Sequence, residues 1–315
     1  KEKFDWGIDI PWDDTHITYV WFDALLNYIT AIGYGSDDAA ERANFEALWP
    51  ATVQIVGKDI LRFHAVIWPA MLIAAGLKPA EQVFGHGWLL VGGEKMSKSK
   101  LTGIAPNQIT DTFGSDAFRY YFMKAISFGN DGSFSWEDLA ARYQSELANG
   151  FGNLASRVIA MIHRYYDGVL PTPHAPTDAD LQVQQVLATA VRDSDAAIDG
   201  LAIHEAIAQI WTLVDELNNY ITVQEPWVLA KSDDTRDRLS TVLYTAAEGL
   251  RGLAVLMAPI TPKASAKLWA ALGQGSLGEL AAQKLGEAGT WGQLKPGSVI
   301  AQLEALFPRI ETEAK

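Results

Sequence analysis

The chain has 315 residues, 49% of them hydrophobic, which is more than one compact domain usually holds and predicts two domains with sizeable cores. The formal net charge of -13 argues against unspecific coating of nucleic acid, although a local, shaped RNA site is still allowed. The absence of cysteine excludes disulfides and Cys-based zinc sites, the 6 histidines lack metal-cluster spacing, and no membrane span or signal peptide is visible, so we expect a cytoplasmic chain without a metal site.

The first element in chain order is a predicted strand over residues 17–22, where β-branched and aromatic side chains follow one another. Asp23 then reads as the N-cap of a helix, which places Trp21 at the end of the strand. The chain begins at Lys1 without an initiator Met and soon enters this apolar stretch, so we expect it to start within a domain.

A β-α-β unit follows. Residues 51–57 predict a short buried strand, and apolar residues then recur at helical spacing from 60 to 72 before Gly76 and Pro79. A third strand is predicted over residues 82–91 and should lie parallel to the second. About three strands are too few for a doubly wound sheet, so we expect part of the sheet to come from elsewhere.

From Pro106 onward the pattern is helical. Gly114-Ser115 separates two helices, a loop is expected over 129–133, and Ser135 caps a long helix that ends near Tyr166. The predicted helices of the C-terminal half span 178–198, 202–223, 235–257 and 262–272, and the tail after Gly273 shows no clear pattern. These elements divide the chain into an α/β part (1–105), a connecting module (106–145) and an all-helical domain (146–315).

Lys95-Met96-Ser97-Lys98-Ser99 is the strongest local motif, and it follows a strand and a Gly-Gly turn. Two ammonium groups interleaved with hydroxyl donors can close over a triphosphate and stabilise charge that develops on departing pyrophosphate. The structural alternative is a solvated basic hairpin tip.

This motif after a β-α-β unit resembles the second signature of class I aminoacyl-tRNA synthetases. The blocks 19–24, 57–64 and 68–71, read as YVWFDA, GKDILRFH and WPAM, are similar to those of methionyl-tRNA synthetases. The resemblance implies the second half of a Rossmann-like catalytic domain, followed by an α-helical anticodon-binding bundle. The family's His-x-Gly-His signature and its frequent zinc-bearing insertion are absent and belong upstream of Lys1 in the family's order, so we expect a missing N-terminal half.

The resemblance also implies a methionine pocket. Aromatic rings offer sulfur-aromatic contacts to a thioether, and a histidine presents a polar edge in an apolar pocket. Spacing alone favours ordinary core residues, and Leu25 departs from the residues that are common in the family at this position. The implied pocket residues are Trp21, Ala24, Leu25, Tyr28, Ile60 and His64.

For ATP, which would enter with Mg²⁺, the resemblance implies Gly57 and Asp59 at the ribose and Leu89 beside the adenine. Lys98 would contact the phosphates, with Lys95 as second choice. A carboxylate beside a glycine at a strand-to-helix turn can accept ribose hydroxyls. Asp59 also reads as a plain helix N-cap.

For RNA, the resemblance implies that Asn153, Arg157 and Trp227 read the anticodon, because amides and guanidinium groups bind base edges and indole rings stack on bases. Without the family, Asn153 and Arg157 are a solvated helix face and Trp227 is a packing residue.

The implied reaction is ATP-dependent formation of methionyl-adenylate and transfer of methionine to tRNA(Met), with this chain alone incomplete for catalysis. Its partners would be methionine, ATP, tRNA(Met) and the missing N-terminal half, with no membrane and no zinc. Two alternatives stay open: a non-catalytic tRNA-binding fragment, and a class I ligase for another apolar amino acid.

Overall fold

The computed structural model describes residues 6–95, 104–273 and 278–310, with the Lys95 side chain left out, and it divides the chain into two compact units, residues 1–88 and 89–315. The first unit opens with an antiparallel hairpin of β1 (Asp9–Ile10) and β2 (Asp13–Ile17). Helices α1 (Val20–Thr30) and α2 (Ala39–Leu48) follow. Asp38 caps α2 by accepting hydrogen bonds from the amides of Ala40 and Glu41.

The predicted strand over residues 17–22 is wrong. The strand ends at Ile17, Tyr19 is the N-cap, and both Trp21 and Asp23 lie in the first turn of α1. Trp21, Leu25 and Ile29 recur every four residues, so the helical repeat extends back through the β-branched stretch. Packing of this face on Trp68 and Leu72 overrides the local strand propensity.

The predicted β-α-β unit is confirmed. Strand β3 (Val53–Gly57) lies parallel to β4 (Gln82–His86), with Val53 opposite Gln82. Between them come a 3₁₀ turn (Lys58–Ile60), a π-helical turn (Phe63–Ile67) and helix α3 (Trp68–Ala74). The core of this unit is small and centres on Leu25, Ile29, Trp68 and Leu72.

The expected single strand over residues 82–91 is also wrong, because β4 ends at His86 and β5 (Leu89–Val91) joins a different sheet. In the second unit β5 pairs antiparallel with β6 (Glu94–Lys95) and parallel with β7 (Gly132–Phe134). Strand β7 occupies the end of the expected loop over 129–133. Three residues with one buried Phe carry too little alternation to indicate a strand.

The expected helix pair after Pro106 is confirmed as α4 (Pro106–Lys124), which kinks where Gly114 adopts φ 81°. The Ser135 hydroxyl caps α5 (Trp136–Arg142) by accepting a hydrogen bond from the Asp138 amide at 3.2 Å. A wide π-helical segment (Tyr143–Gly152) continues directly into α6 (Asn153–Tyr166).

The helical bundle follows the prediction closely. It comprises α7 (Asp178–Asp199), α8 (Ile203–Gln224), α9 (Pro226–Leu229), α10 (Arg236–Met257) and α11 (Pro262–Ala271). Every residue of α10 from Leu239 to Met257 is buried. Two glycines allow the close packing: a Cβ at Gly249 would lie 2.6 Å from Leu217, and one at Gly252 would lie 2.4 Å from Leu187.

The tail belongs to the core of the second unit. Residues Ala288, Leu294, Ile300, Leu306 and Phe307 are buried there. The Tyr244 hydroxyl donates to the Leu294 carbonyl at 2.8 Å, and burial raises the pKa of Tyr244 to about 12. The tail shows no hydrophobic periodicity because it packs along the other helices and forms no long helix itself.

Candidate functional sites

His64 is a buried polar residue of the first unit with contacts at both ring nitrogens. It is 1% exposed and lies in the π-helical turn, whose wider spacing lets its ring meet α1. Nδ1 lies 3.0 Å from the Ile60 carbonyl, which can only accept, so Nδ1 carries the hydrogen. Nε2 lies 2.9 Å from the Tyr28 hydroxyl, within hydrogen-bond distance.

Two aromatic rings, Trp21 and Tyr28, contact the His64 ring, and each packs on one further ring. Trp21 stacks on Phe63 with centroids 4.3 Å apart, and its ring meets the His64 ring edge-on at 6.2 Å. Tyr28 meets His64 at 5.5 Å and Trp68 at 6.1 Å. The sequence-based set omitted Phe63 and Trp68, although Phe63 lies inside the matched block beside His64. We name Trp21, Tyr28, Phe63, His64 and Trp68 the aromatic cluster.

The other three expected pocket residues take different places. Leu25 is 1% exposed and packs on Ile29 and Leu72 in the core, as the structural alternative expected. Ala24 is exposed on the same helix. Ile60 supplies the carbonyl that holds His64. The structure therefore brings Trp21, Tyr28, Ile60 and His64 together, with Leu25 beneath them.

The turn after β3 holds two expected ATP residues close together. Gly57 is the N-cap of the 3₁₀ turn, so the N-cap alternative for Asp59 is wrong and Asp59 lies inside that turn. A Cβ at Gly57 would lie 2.8 Å from Asp59 Oδ1, so a larger residue would displace the Asp59 carboxylate. Lys58 lies with its ammonium 4.1 Å from the Trp88 ring centroid.

The remaining expected ATP residues belong to the second unit. Leu89 begins β5 and packs, partly buried, on the cluster of Ile109, Tyr121, Phe134 and Leu139. Lys95 lies in β6 and pairs through its backbone with Leu90 of β5, and its side chain is outside the described part. Lys98 lies outside the described residues.

The three expected RNA readers lie on two helices of the second unit. Asn153 is exposed at the start of α6, and Arg157 follows one turn later on the same face. Trp227, 39% exposed in α9, lies with its ring centroid 6.0 Å from the Arg157 guanidinium carbon. Pro226 begins α9 after Glu225 turns the chain at φ 43°, and this sharp turn presents the indole.

Within residues 6–95, 104–273 and 278–310, no three acidic or histidine side chains converge in a way that could hold a metal ion. The helices of that same part include none that is long and apolar enough to cross a membrane.

Comparison with known families gives two matches in succession. Residues 1–159 match the tRNA synthetases class I (M), and residues 170–315 match the anticodon binding domain of methionyl tRNA ligase. This chain belongs to the class I (M) tRNA synthetases. The expected fold, the end of a class I catalytic domain followed by a helical anticodon-binding domain, is thereby confirmed.

The relatives of this class I synthetase chain include methionine–tRNA ligases. That of Streptomyces coelicolor is 52% identical over 315 residues, which are 99% of this chain and 58% of the relative. That of Caldanaerobacter subterraneus is 44% identical over 318 residues, 99% of this chain and 48% of the relative. The Mycobacterium tuberculosis methionyl-tRNA synthetase bound by methionyl-adenylate superposes with a TM-score of 0.87 at 35% identity, covering 98% of this chain and 59% of that one. The chain thus spans about half the length of the curated relatives it matches.

Proposed function

We propose that this chain is the methionine- and tRNA-binding portion of a methionine–tRNA ligase. The ligase would activate methionine with ATP and Mg²⁺ to methionyl-adenylate and then transfer methionine to tRNA(Met) in the cytoplasm. The observation that carries the proposal is the aromatic cluster, in which a buried His64 is held at both ring nitrogens beside partly exposed aromatic rings.

The cluster suits a thioether side chain. Trp21 and Tyr28 present ring faces and edges, and sulfur interacts favourably with aromatic rings by about 0.3–1.5 kcal/mol. His64 adds a polar edge to an otherwise apolar pocket, and its contact with the Ile60 carbonyl fixes the orientation of the ring. Ile60 and Ala24 would close the pocket on its aliphatic side, while Leu25 supports it from the core.

The proposed ATP residues act by positioning and charge stabilisation, without a covalent enzyme intermediate. Asp59 would accept the ribose hydroxyls beside Gly57, and Leu89 would lie against the adenine. Lys98, with Lys95 second, would neutralise charge on the departing pyrophosphate; these two roles rest on the sequence motif.

The proposed RNA residues suit the bases of an unpaired loop. Asn153 offers both an amide donor and an acceptor, and Arg157 offers a planar donor fork. Trp227 offers an exposed ring on which a base can stack. The cation-ring approach of Arg157 to Trp227 holds both side chains at one place on the surface.

Catalysis needs a further partner, the N-terminal half of the catalytic domain. In the described part β3 and β4 pair only with each other, and parallel sheets occur almost always with both faces covered. The amide of Gln54 on β3 is buried yet has no hydrogen-bond partner among the described residues, while Ile55 beside it is 49% exposed. Further structure packed on the two faces of this sheet would cover Ile55 and supply a partner for the Gln54 amide.

The test is amino-acid-dependent pyrophosphate exchange. We expect none from the chain alone, and methionine-dependent exchange when it is combined with the segment of the Streptomyces coelicolor relative that it does not cover. Lys98→Gln should abolish the exchange, whereas Lys100→Gln, just outside the motif, is the matched control.

Two outcomes would contradict the proposal. Exchange that depends on another apolar amino acid would favour a ligase of different specificity. One methylene changes the binding free energy of an apolar side chain by only about 1–3 kcal/mol, so amino acids close in size to methionine are the informative competitors. Binding of tRNA(Met) without exchange by the combined protein would favour a non-catalytic RNA-binding chain.

A further inference from the structure

Helix α6 carries a further exposed side chain, Arg164, on the face that holds the exposed Asn153 and the half-buried Arg157. Arg164 lies eleven residues after Asn153, which is three helical turns and about 16 Å along the axis. Between them lies Ala160, which is also exposed on this face and whose small side chain does not obstruct it. The face therefore extends about two helical turns beyond Arg157, the second of the two expected RNA-reading residues on α6.

Arg157 and Arg164 differ from most arginines of the second unit. Six others donate to a carboxylate or to backbone carbonyls: Arg119, Arg142, Arg192, Arg236, Arg238 and Arg251. In the described part of the chain, no acidic side chain lies within 4.0 Å of Arg157 or Arg164 and neither donates a hydrogen bond. Each lies near an aromatic ring instead, Trp227 at 6.0 Å and Tyr165 at 5.6 Å.

The structural explanation for Arg164 is that a cation in the last turn stabilises the helix terminus. Another residue already does this: Arg236 donates to the Tyr165 carbonyl, and its guanidinium lies 4.2 Å from the Tyr166 ring centroid. In a chain of net charge -13, an exposed arginine without a carboxylate partner is available for an external anion.

We propose that Arg164 binds a backbone phosphate of the RNA whose bases meet Asn153, Arg157 and Trp227. This inference rests on the proposed function and extends it from base recognition to the backbone. Phosphate contacts fix the register of a nucleic acid and carry no sequence information, so Arg164 should strengthen binding of every loop sequence equally.

The test uses the whole chain and a fluorescent stem-loop RNA whose anticodon reads the methionine codon. The dissociation constant is followed from about 50 to 300 mM KCl, on both sides of physiological ionic strength. For Arg164→Gln we expect about fivefold weaker binding near 0.1 M salt and a salt slope lower by about 0.7. Arg164→Lys should restore the slope, because a phosphate contact needs only the charge.

The matched control is Arg192→Gln, an exposed arginine on α7 that is paired with Asp193. It should leave affinity and slope unchanged. An RNA with an altered anticodon should lose the same factor with Arg164→Gln, whereas Trp227→Ala should weaken only the matched RNA.

The outcomes separate the two proposals. An unchanged slope in Arg164→Gln, while Trp227→Ala weakens the matched RNA, overturns the role of Arg164 alone. If Arg164→Gln instead lowers the thermal midpoint and Arg164→Lys restores it without any effect on the slope, Arg164 serves the helix terminus. No discrimination between the two RNAs by the wild-type chain overturns both proposals.

Discussion

The aromatic cluster and the helical bundle bury polar groups in opposite ways. In the first unit one polar side chain, His64, is held by two hydrogen bonds beside a core of four fully buried apolar residues. In the bundle, full charges are buried among more than forty apolar residues: Glu248 is 0% exposed and Arg251 is 3% exposed. Folding stability therefore resides in the bundle, whereas the cluster keeps partly exposed rings that are available to a ligand.

The largest effect should follow from breaking the buried pair of the bundle. Arg251 donates to Glu248 at 2.8 Å and to the Ala288 and Thr290 carbonyls at 2.9 and 2.8 Å. Arg251→Met would leave a buried carboxylate unpaired and free the tail, so we expect a loss of about 3–5 kcal/mol in unfolding free energy. Urea unfolding followed by helical circular dichroism measures this loss.

Two controls accompany this prediction. Removing both charges with Arg251→Met and Glu248→Leu should recover part of the loss, because the unpaired charge is then gone. Arg192→Met, at an exposed pair, should leave the midpoint unchanged. A single Arg251→Met variant as stable as the wild type would mean that the bundle does not depend on its buried charges.

The next largest effect is the loss of folding stability at low pH. Burial raises the pKa of Asp180, but hydrogen bonds from Arg238, Tyr220 and Thr177 outweigh it, so the pKa ends below the ordinary value of 3.8. A carboxyl with a lowered folded-state pKa contributes stability above its unfolded pKa and loses it as pH falls through the folded one. We therefore expect wild-type stability to fall below about pH 4.

Asp180→Asn should lower the unfolding free energy by about 2 kcal/mol at pH 7, since charge-assisted hydrogen bonds are lost. The difference from wild type should shrink as the pH approaches 3. Asp178→Asn, at an exposed position in the same first turn, is the matched control. A constant difference between pH 7 and 3 would mean that Asp180 does not titrate with folding.

A smaller effect should come from the contact between α10 and α7. Gly252→Ala places a methyl group 2.4 Å from Leu187 Cδ1 in a dense core, and we expect a net loss of about 1–3 kcal/mol despite the higher helix propensity of Ala. Leu187→Ala in the same protein should relieve the clash. Gly150→Ala, where the nearest atom is 3.5 Å away, should be neutral, and equal losses at both positions would refute the packing explanation.

The sequence predicted the bundle better than the first unit, and the reason is physical. Helix α7 begins at a capping box formed by Thr177 and Asp180, and helices α7, α8 and α10 carry long apolar repeats, which are local signals. The ends of α1 and β4 depend on packing partners far along the chain, such as Trp68 for α1. The tail after Gly273 has no local signal at all, because hydrogen bonds from the buried Arg251 on α10 hold it in place.

The candidate site shows the same limit. The matched blocks identified His64, Tyr28 and Trp21, which the structure brings together. The sequence could not show that the π-helical turn aligns His64 with Tyr28, nor that Phe63 stacks on Trp21. Nor could it show that Arg157 approaches the ring of Trp227, because the two residues are seventy positions apart.

The smallest effect on stability should come from the aromatic cluster. Tyr28→Phe removes the hydrogen bond to His64 Nε2 and keeps the ring. Tyr28 is 40% exposed, so water can replace the hydroxyl, and we expect a loss of at most about 1 kcal/mol in unfolding free energy. Substrate binding should suffer more visibly, because His64 would no longer be held at both nitrogens.

In the protein combined with the uncovered segment of its Streptomyces relative, Tyr28→Phe should raise KM for methionine about fivefold, the equivalent of about 1 kcal/mol, and leave KM for ATP unchanged. Tyr34→Phe is the matched control, since Tyr34 is 38% exposed and packs on Phe45 at 5.1 Å. A loss of several kcal/mol with an unchanged KM for methionine would make the cluster a structural core. Because the bundle variants change stability and this one should change affinity, the two regions can be separated by comparing unfolding and kinetics in the same set of proteins.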